Sequence, residues 1–366
     1  MIGKIPIYLE YHAENNTGEC YGSYFYQSQC IDIPIEGTIS GTKFTLYAGT
    51  MWQEKEEKEL FNLVLKGKTL SGTWKANGKT LKVVLTKINE AAFPNPYDKN
   101  PFVKTQPFAG LERIRTSFAK FKSIDSTTSV VANGMTIVWY KEAHWDSQFF
   151  RIKSGLPDST IKWVNNYLEY KQLVEFSNFG TCGAGVNMEY NTSISDYFLN
   201  SDFLSINFAS YYYCGGAHPD FSSEQVNLDL KNHLLLSTED LLQFDGFVQR
   251  DDANFDEWAA YRSETFVVLI NDYFKATYPE YYADSDETEG TEETESDDYE
   301  NECFYDDPMV WQFSGVNITT GGFKFSAYFY RAMRICDDPE WAYIPYEVFA
   351  DYLNPKYKKA LLAIPH

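Results

Sequence analysis

Three observations predict an α+β fold. Residues 1–88 alternate apolar and polar side chains in seven short runs separated by glycine-bearing turns, the rest of the chain mixes further alternating runs with two stretches of helical spacing, and 17% of all residues are aromatic, with 28 Tyr and 27 Phe among them. Period-two alternation rich in aromatic and β-branched residues marks strands with one buried face. Strands segregated from helices, rather than alternating with them, argue for antiparallel sheets and against a parallel βαβ sheet. So aromatic a chain has enough apolar surface for a packed core, and 366 residues leave room for two domains.

The N-terminal runs are Ile5 to Tyr11, Gly22 to Tyr26, Ile31 to Ser40, Lys43 to Ala48, Leu60 to Leu65, Thr69 to Lys75 and Thr80 to Leu85. Turns fall at Ser40-Gly41-Thr42, Lys66-Gly67-Lys68 and Ala76-Asn77-Gly78-Lys79, and Asn-Gly is a strong hairpin signal. An antiparallel β-meander, a small barrel or curved sheet, is therefore expected over 1–88. Pro94, Pro96 and Pro101 interrupt any ladder, which assigns 89–133 to a connecting segment. A second, α+β domain is expected over 134–366, with an antiparallel sheet and a few packing helices. In it, Ser159 to Tyr170 places Ile161, Val164 and Leu168 on one helical face with Asp158 as N-cap, and Thr265 to Phe274 places Phe266, Leu269, Ile270 and Tyr273 on another.

Six cysteines bear on the compartment. Hairpin geometry suggests the local pairings Cys20–Cys30, Cys182–Cys214 and Cys303–Cys336, the last across a turn at Thr319-Thr320-Gly321-Gly322. Disulfides imply an oxidising periplasm or cell exterior. No run of about 18 apolar residues exists, and Met1-Ile2-Gly3-Lys4-Ile5-Pro6 lacks the apolar stretch of a signal peptide. A periplasmic or secreted protein, lipoprotein-anchored or not, whose leader has been removed is the expectation.

The run Tyr211-Tyr212-Tyr213-Cys214-Gly215-Gly216-Ala217-His218-Pro219-Asp220 breaks from an extended aromatic segment into a Gly-Gly turn bearing a histidine. Upstream stand Ser154-Gly155-Leu156-Pro157-Asp158 with Asn165 and Asn166. Downstream come Asn227-Leu228-Asp229-Leu230, Leu234-Leu235-Leu236, Ser237 to Leu242, Phe323-Lys324-Phe325, Tyr328-Phe329-Tyr330 and Tyr343 to Glu347. Together these resemble, over roughly residues 135 to 355, an extracytoplasmic domain family shared by a lysozyme-sensing anti-sigma factor and the accessory region of a peptidoglycan deacetylase. The resemblance implies a strand entering the Gly-Gly-Ala-His turn, a strand-turn-strand and short helix after it, and two last strands with a closing helix. It also implies a role in binding. Cys214 before the turn and the acidic insert before Cys303 depart from the family pattern.

The net charge of −21 is concentrated between Asp284 and Glu302, where eleven acidic residues stand with no basic one. A self-repelling flexible loop is expected over 283–302, which excludes a nucleic-acid partner and favours a basic protein. A calcium loop fails at its glycine, because Glu289 occupies the sixth position from Asp284 and Gly290 comes one late. The five histidines form no zinc motif, His144 and Asp146 lack a third ligand, no Gly-x-Ser-x-Gly elbow exists, and no carboxylate pair stands out as a glycosidase's.

No catalytic residue, metal or cofactor is therefore assigned. The expected partner-binding residues are Tyr211, Tyr213, His218 and Asp220 of the turn and Asp297, Asp298 and Glu300 of the acidic run. His218 after two glycines and before Pro219 equally suits a loop-fixing role through neighbouring carbonyls. The functional expectation is a non-catalytic envelope protein that binds a basic, lysozyme-like peptidoglycan hydrolase as inhibitor or immunity protein by occluding its cleft. The alternative is a glycan-binding accessory module of cell-wall metabolism.

Overall fold

The computed structural model describes residues 1–50, 53–124, 129–130, 134–145, 147–183, 188–215, 218–282 and 303–365. The chain falls into two compact units, Met1–Ser193 with Tyr211–Pro219, and Ile194–Ser210 with Asp220–His366. The division of the sequence at 88 and 133 follows element type, whereas this one follows packing.

The first unit begins with a seven-stranded antiparallel sheet in simple meander order: β1 (Ile7–Ala13), β2 (Glu19–Tyr26), β3 (Asp32–Ser40), β4 (Lys43–Ala48), β5 (Glu59–Lys66), β6 (Thr69–Ala76) and β7 (Lys79–Thr86). Its inner face buries Tyr24, Phe44, Leu46, Phe61, Leu63 and Val83. Each is an alternate residue of its strand, as the period-two pattern requires. The sheet curls where strands carry no side chain. A Cβ at Gly37 would stand 2.0 Å from the Thr45 carbonyl oxygen, and one at Gly72 would stand 1.9 Å from that of Asn62. The Asn77-Gly78 turn is the expected hairpin, with φ of +50° and +71°.

Residues 89–133 are more than a connection. They form α1 (Pro101–Thr105), α2 (Gly110–Thr116), β8 (Phe121–Ser123) and β9 (Ser129–Val130). Strand β10 (Thr136–Glu142) pairs with β8, β9 and β11 (Gln148–Ser154), in the order β11-β10-β8 with β9 also on β10. Arg115 of α2 is fully buried. It forms an ion pair with Asp32 of β3 and donates from Nη1 to the Ser177 carbonyl at 3.1 Å.

Helix α3 (Asp158–Cys182) runs 25 residues, well past the expected end at Tyr170. Its second half hides its periodicity because polar residues are buried in it. Lys171 pairs with Glu175 at 3.1 Å, and Gln172 accepts from Arg151 at 2.8 Å, beside buried Leu173 and Phe176. Asp158 is the first helical residue and not the N-cap; that place is taken by Pro157, with no side-chain cap bond. Proline's fixed φ presets the entry, and a carboxylate within the first turn suits the helix dipole.

Next comes a four-stranded sheet of β12 (Glu189–Leu199), β13 (Phe203–Tyr213), β14 (Asp220–Asp229) and β15 (Leu234–Leu236), followed by helix α4 (Thr238–Leu241). Ser237 closes a capping box with Asp240, its Oγ accepting from the Asp240 N–H at 3.2 Å. The expected second helix is α6 (Val267–Thr277), joined to α5 (Phe255–Tyr261) through a π-helical turn at Arg262–Phe266. After α7 (Met309–Gln312), a three-stranded sheet of β16 (Val316–Ile318), β17 (Gly322–Phe325) and β18 (Tyr343–Pro345) precedes α8 (Pro355–Leu361). The core of the second unit includes Leu241, Phe244, Phe266, Ile270, Phe274, Trp311 and Phe325. Tyr328-Phe329-Tyr330 is not a strand; Phe329 is buried and its N–H donates to Asp337 at 2.8 Å instead of to a ladder.

Two of the three expected disulfides are formed, Cys182–Cys214 and Cys303–Cys336. The pairing Cys20–Cys30 is overturned, because both are free, buried thiols. Cys20 opposes Gly37 near the start of β2, while Cys30 lies beyond that strand's far end at Tyr26. Six residues of extended chain from Cys20 to Tyr26 span about 20 Å, far beyond the reach of a disulfide. Burial raises both thiols, Cys30 to about 12. Titration with a thiol reagent should find no reactive cysteine in the native protein, two after denaturation without reductant, and six after reduction.

Candidate functional site

In the first unit, α3 lies along the free edge of β11, and one side chain joins them. Asn165 accepts from the Ile152 N–H through Oδ1 and donates from Nδ2 to the Ile152 carbonyl, both at 2.8 Å. A single amide thus replaces a missing strand at the sheet edge. Asn165 and Asn166 both stand where the resemblance expects an asparagine, and it is Asn165 that makes this pair of bonds.

Beside that joint opens a cleft of about 570 Å³, lined by Tyr97, Phe121, Tyr140, Arg151, Asn166 and Glu169 among others. Phe121 and Ser123 of β8, Val138 and Tyr140 of β10, and Arg151 and Lys153 of β11 all line it. Within each strand they are two residues apart, and Val138 opposes Arg151 across the ladder, so they share one face of the sheet. Tyr97 is fixed by its hydroxyl on the Ala119 carbonyl at 2.9 Å, and Glu169 by Asn100 Nδ2 at 3.0 Å. Burial pulls Arg151 down to about 10, which leaves it charged at neutral pH. None of the residues expected to bind a partner lines this cleft. Its sequence signal is a pair of cations at period two, Arg151 within the otherwise apolar run Phe149 to Ile152 and Lys153 just after it.

The expected turn begins where β13 ends. Cys214 and Gly215 are exposed, and Cys214 is bonded to Cys182 at the last residue of α3, with 4.7 Å between their Cα atoms. Tyr211 and Tyr213 are half-buried, and Tyr212 stacks on Tyr190 at 5.9 Å. His218 is exposed, with Nδ1 3.0 Å from the Pro219 carbonyl oxygen, the neighbouring-carbonyl contact that a loop-fixing histidine makes.

In the second unit, Asp220 is buried and held by Arg331 Nε at 3.2 Å and Arg334 Nε at 3.9 Å. Its carboxylate is committed inside that unit. Nearby Asp337 is raised to about 6, by burial first and further by Asp338 and Asp220, against the Phe329 N–H and Arg334. A small cavity of about 110 Å³ in the same unit is lined by Asp196, Ser205, Asn207, Asn317 and Thr319. Asp297, Asp298 and Glu300, with the rest of the acidic run, lie outside the described residues. His144 sits 3.1 Å from Glu142 through Nδ1, and Asp146 is also outside the described residues. Among the described residues, no group of three or more His, Cys, Asp or Glu is placed to hold a metal ion, and no helix is long and apolar enough to cross a membrane.

No family model matches the chain, and no curated protein matches it. Solved structures similar to it include two from one family. One is a DUF3298 family member from Bacteroides fragilis, 14% identical, with a TM-score of 0.40 over 67% of this chain and 97% of that one. The other is a DUF3298 family protein from Pseudomonas aeruginosa, also 14% identical, with a TM-score of 0.28 over 65% and 95% of the two chains. The architecture is mixed α+β, with an N-terminal seven-stranded antiparallel sheet followed by further sheets and a few helices.

Two outcomes test this geometry. Asn165→Ala strands the Ile152 N–H and C=O, and should lower the unfolding free energy by about 1–3 kcal/mol in denaturant titration. Asp337 holds its proton more tightly folded than unfolded, so its contribution to stability is full below its ordinary value of 3.8 and is lost as pH rises through about 6. Asp337→Asn should therefore flatten the fall in stability between those pH values, as read from melting temperature against pH; an unchanged slope would show that the proton sits elsewhere.

Proposed function

We propose that this protein is a non-catalytic binding protein of the cell envelope whose target is a basic, lysozyme-like peptidoglycan hydrolase, held as an inhibitor or immunity protein holds its enzyme. The observation that carries the reading is that Cys214, Gly215, His218 and Pro219 are exposed, and that Cys214 is pinned by its bond to Cys182 to the end of a 25-residue helix. An exposed segment fastened at one end by a disulfide loses less freedom on entering a cleft than a free one, which favours binding by occlusion. The exposed His218 and the half-buried Tyr211 and Tyr213 offer the aromatic and hydrogen-bonding groups common at interface hot spots. The net charge of −21 steers a basic enzyme toward the protein. Both disulfides support an oxidising, extracytoplasmic setting. The sequence resemblance to the domain of the lysozyme-sensing anti-sigma factor points the same way.

A second reading has its own observation. The cleft walled by Tyr97, Phe121 and Tyr140 suits a sugar ring, as a glycan-binding module of cell-wall metabolism requires.

Titration against a panel of basic lysozymes and cell-wall hydrolases at two salt concentrations, with lysis followed in parallel, separates the readings. The expected result is stoichiometric binding that blocks lysis, weakens as salt rises, and weakens about tenfold or more in His218→Ala or Tyr213→Ala. No binding at low salt overturns the hydrolase reading, and retention on enzyme-free peptidoglycan moves the case to the second.

A further inference from the structure

The first-unit cleft runs against the charge of the chain. Its charged lining residues are Arg151, Lys153 and Glu169, two cations to one anion, in a protein of net charge −21. Arg151 Nη1 donates to the Phe150 carbonyl at 2.9 Å and Nη2 to Gln172 Oε1 at 2.8 Å. A guanidinium has five N–H groups, so most of its donors remain unspent. Among the described residues no carboxylate is within ion-pair distance of it. The rings of Phe121 and Tyr140 stand 5.8 and 5.6 Å from it, within cation–π reach. Lys153, two residues along the same face of β11, is exposed and has no partner among the described residues. Glu169, already engaged by Asn100, supports the positive charge of Arg151 without forming a salt bridge to it.

A protein rarely leaves a guanidinium on a cleft wall with most of its donors unspent and no carboxylate beside it, because desolvating the charge is costly without a counter-charge. We propose that this cleft is a binding site for a small carboxylate ligand with a ring-shaped or apolar body, its carboxylate taken in a two-pronged bond by Arg151 and its charge balanced by Lys153 at the exposed end. The inference goes beyond the hydrolase reading and stands whether or not the turn docks on an enzyme. A carboxylate fits better than a phosphate. Phosphate sites recruit backbone N–H groups from glycine loops or helix N-termini, whereas this cleft is lined by strand residues and by α3 residues at least two turns inside that helix. Glu169 also opposes a dianion. A volume of about 570 Å³ is ample for one sugar acid or a capped dipeptide.

The test uses the full chain and two matched pairs in calorimetric titration: glucuronic acid against glucose, and acetyl-dialanine against its C-terminal amide. The acid of at least one pair should bind tenfold or more tightly than its neutral counterpart, and whichever acid binds more strongly identifies the source of the carboxylate, sugar or peptide. Arg151→Gln should weaken that binding by tenfold or more. Because Arg151 also holds Gln172 and could disturb the fold when replaced, the exposed Lys153→Glu supplies a second arm; it should abolish the preference for the acid while leaving the melting temperature unchanged. Equal affinity for acid and neutral members, no binding of either acid, or full binding by a folded Arg151→Gln or Lys153→Glu variant overturns the proposal.

Discussion

The buried Arg115–Asp32 pair is the constraint on which the first unit depends. Arg115 is fully buried, and its guanidinium reaches Asp32 of the meander, the Ser177 carbonyl of α3 and the face of Phe25, 5.5 Å away. Removing such a charge from water is tolerable only while every partner stays in place. Helix α3 therefore cannot slide on the meander without stranding a cation. Gly180 belongs to the same arrangement, since a Cβ there would stand 2.3 Å from Arg115 Cδ and Nε.

Both candidate binding features are built on that anchored helix. Toward its N-terminal end, Asn165 fastens the edge of β11 and Glu169 lines the cleft. Its last residue, Cys182, fastens the turn after β13. Each feature is therefore fastened to a regular element, and preorganisation of this kind is what lets a modest contact area bind usefully. Their chemistry differs. The turn offers an exposed imidazole, while the cleft offers a partly desolvated guanidinium within cation–π reach of two rings.

The meander was legible almost strand by strand because one face of each strand is buried and the turns carry the glycines that positive φ demands, as at Asn77-Gly78. Helix α3 was legible only in its first half. Beyond Tyr170 its buried positions include Lys171, Gln172 and Glu175, whose pairing with one another and with Arg151 removes the cost of burying them but also removes the apolar stripe a reader looks for. The cysteines divide for a related reason. Spacing found two of the pairs, but it misjudged Cys20 and Cys30, which lie toward opposite ends of one strand and not across from each other.

Composition and local pattern by themselves determined the α+β class, the register-bearing hairpins, the acidity and the aromatic turn, because these follow from side-chain period, turn geometry and charge count. Tertiary structure alone decided that Arg151 would stand in a cleft with no carboxylate in ion-pair reach among the described residues, that Asp220 would be spent inside its own unit on Arg331 and Arg334, and that Asn165 would serve as a surrogate strand. Those outcomes turn on which distant side chains come within about 3 Å of one another, and a sequence records neighbours along the chain while hydrogen bonds and desolvation answer to neighbours in space.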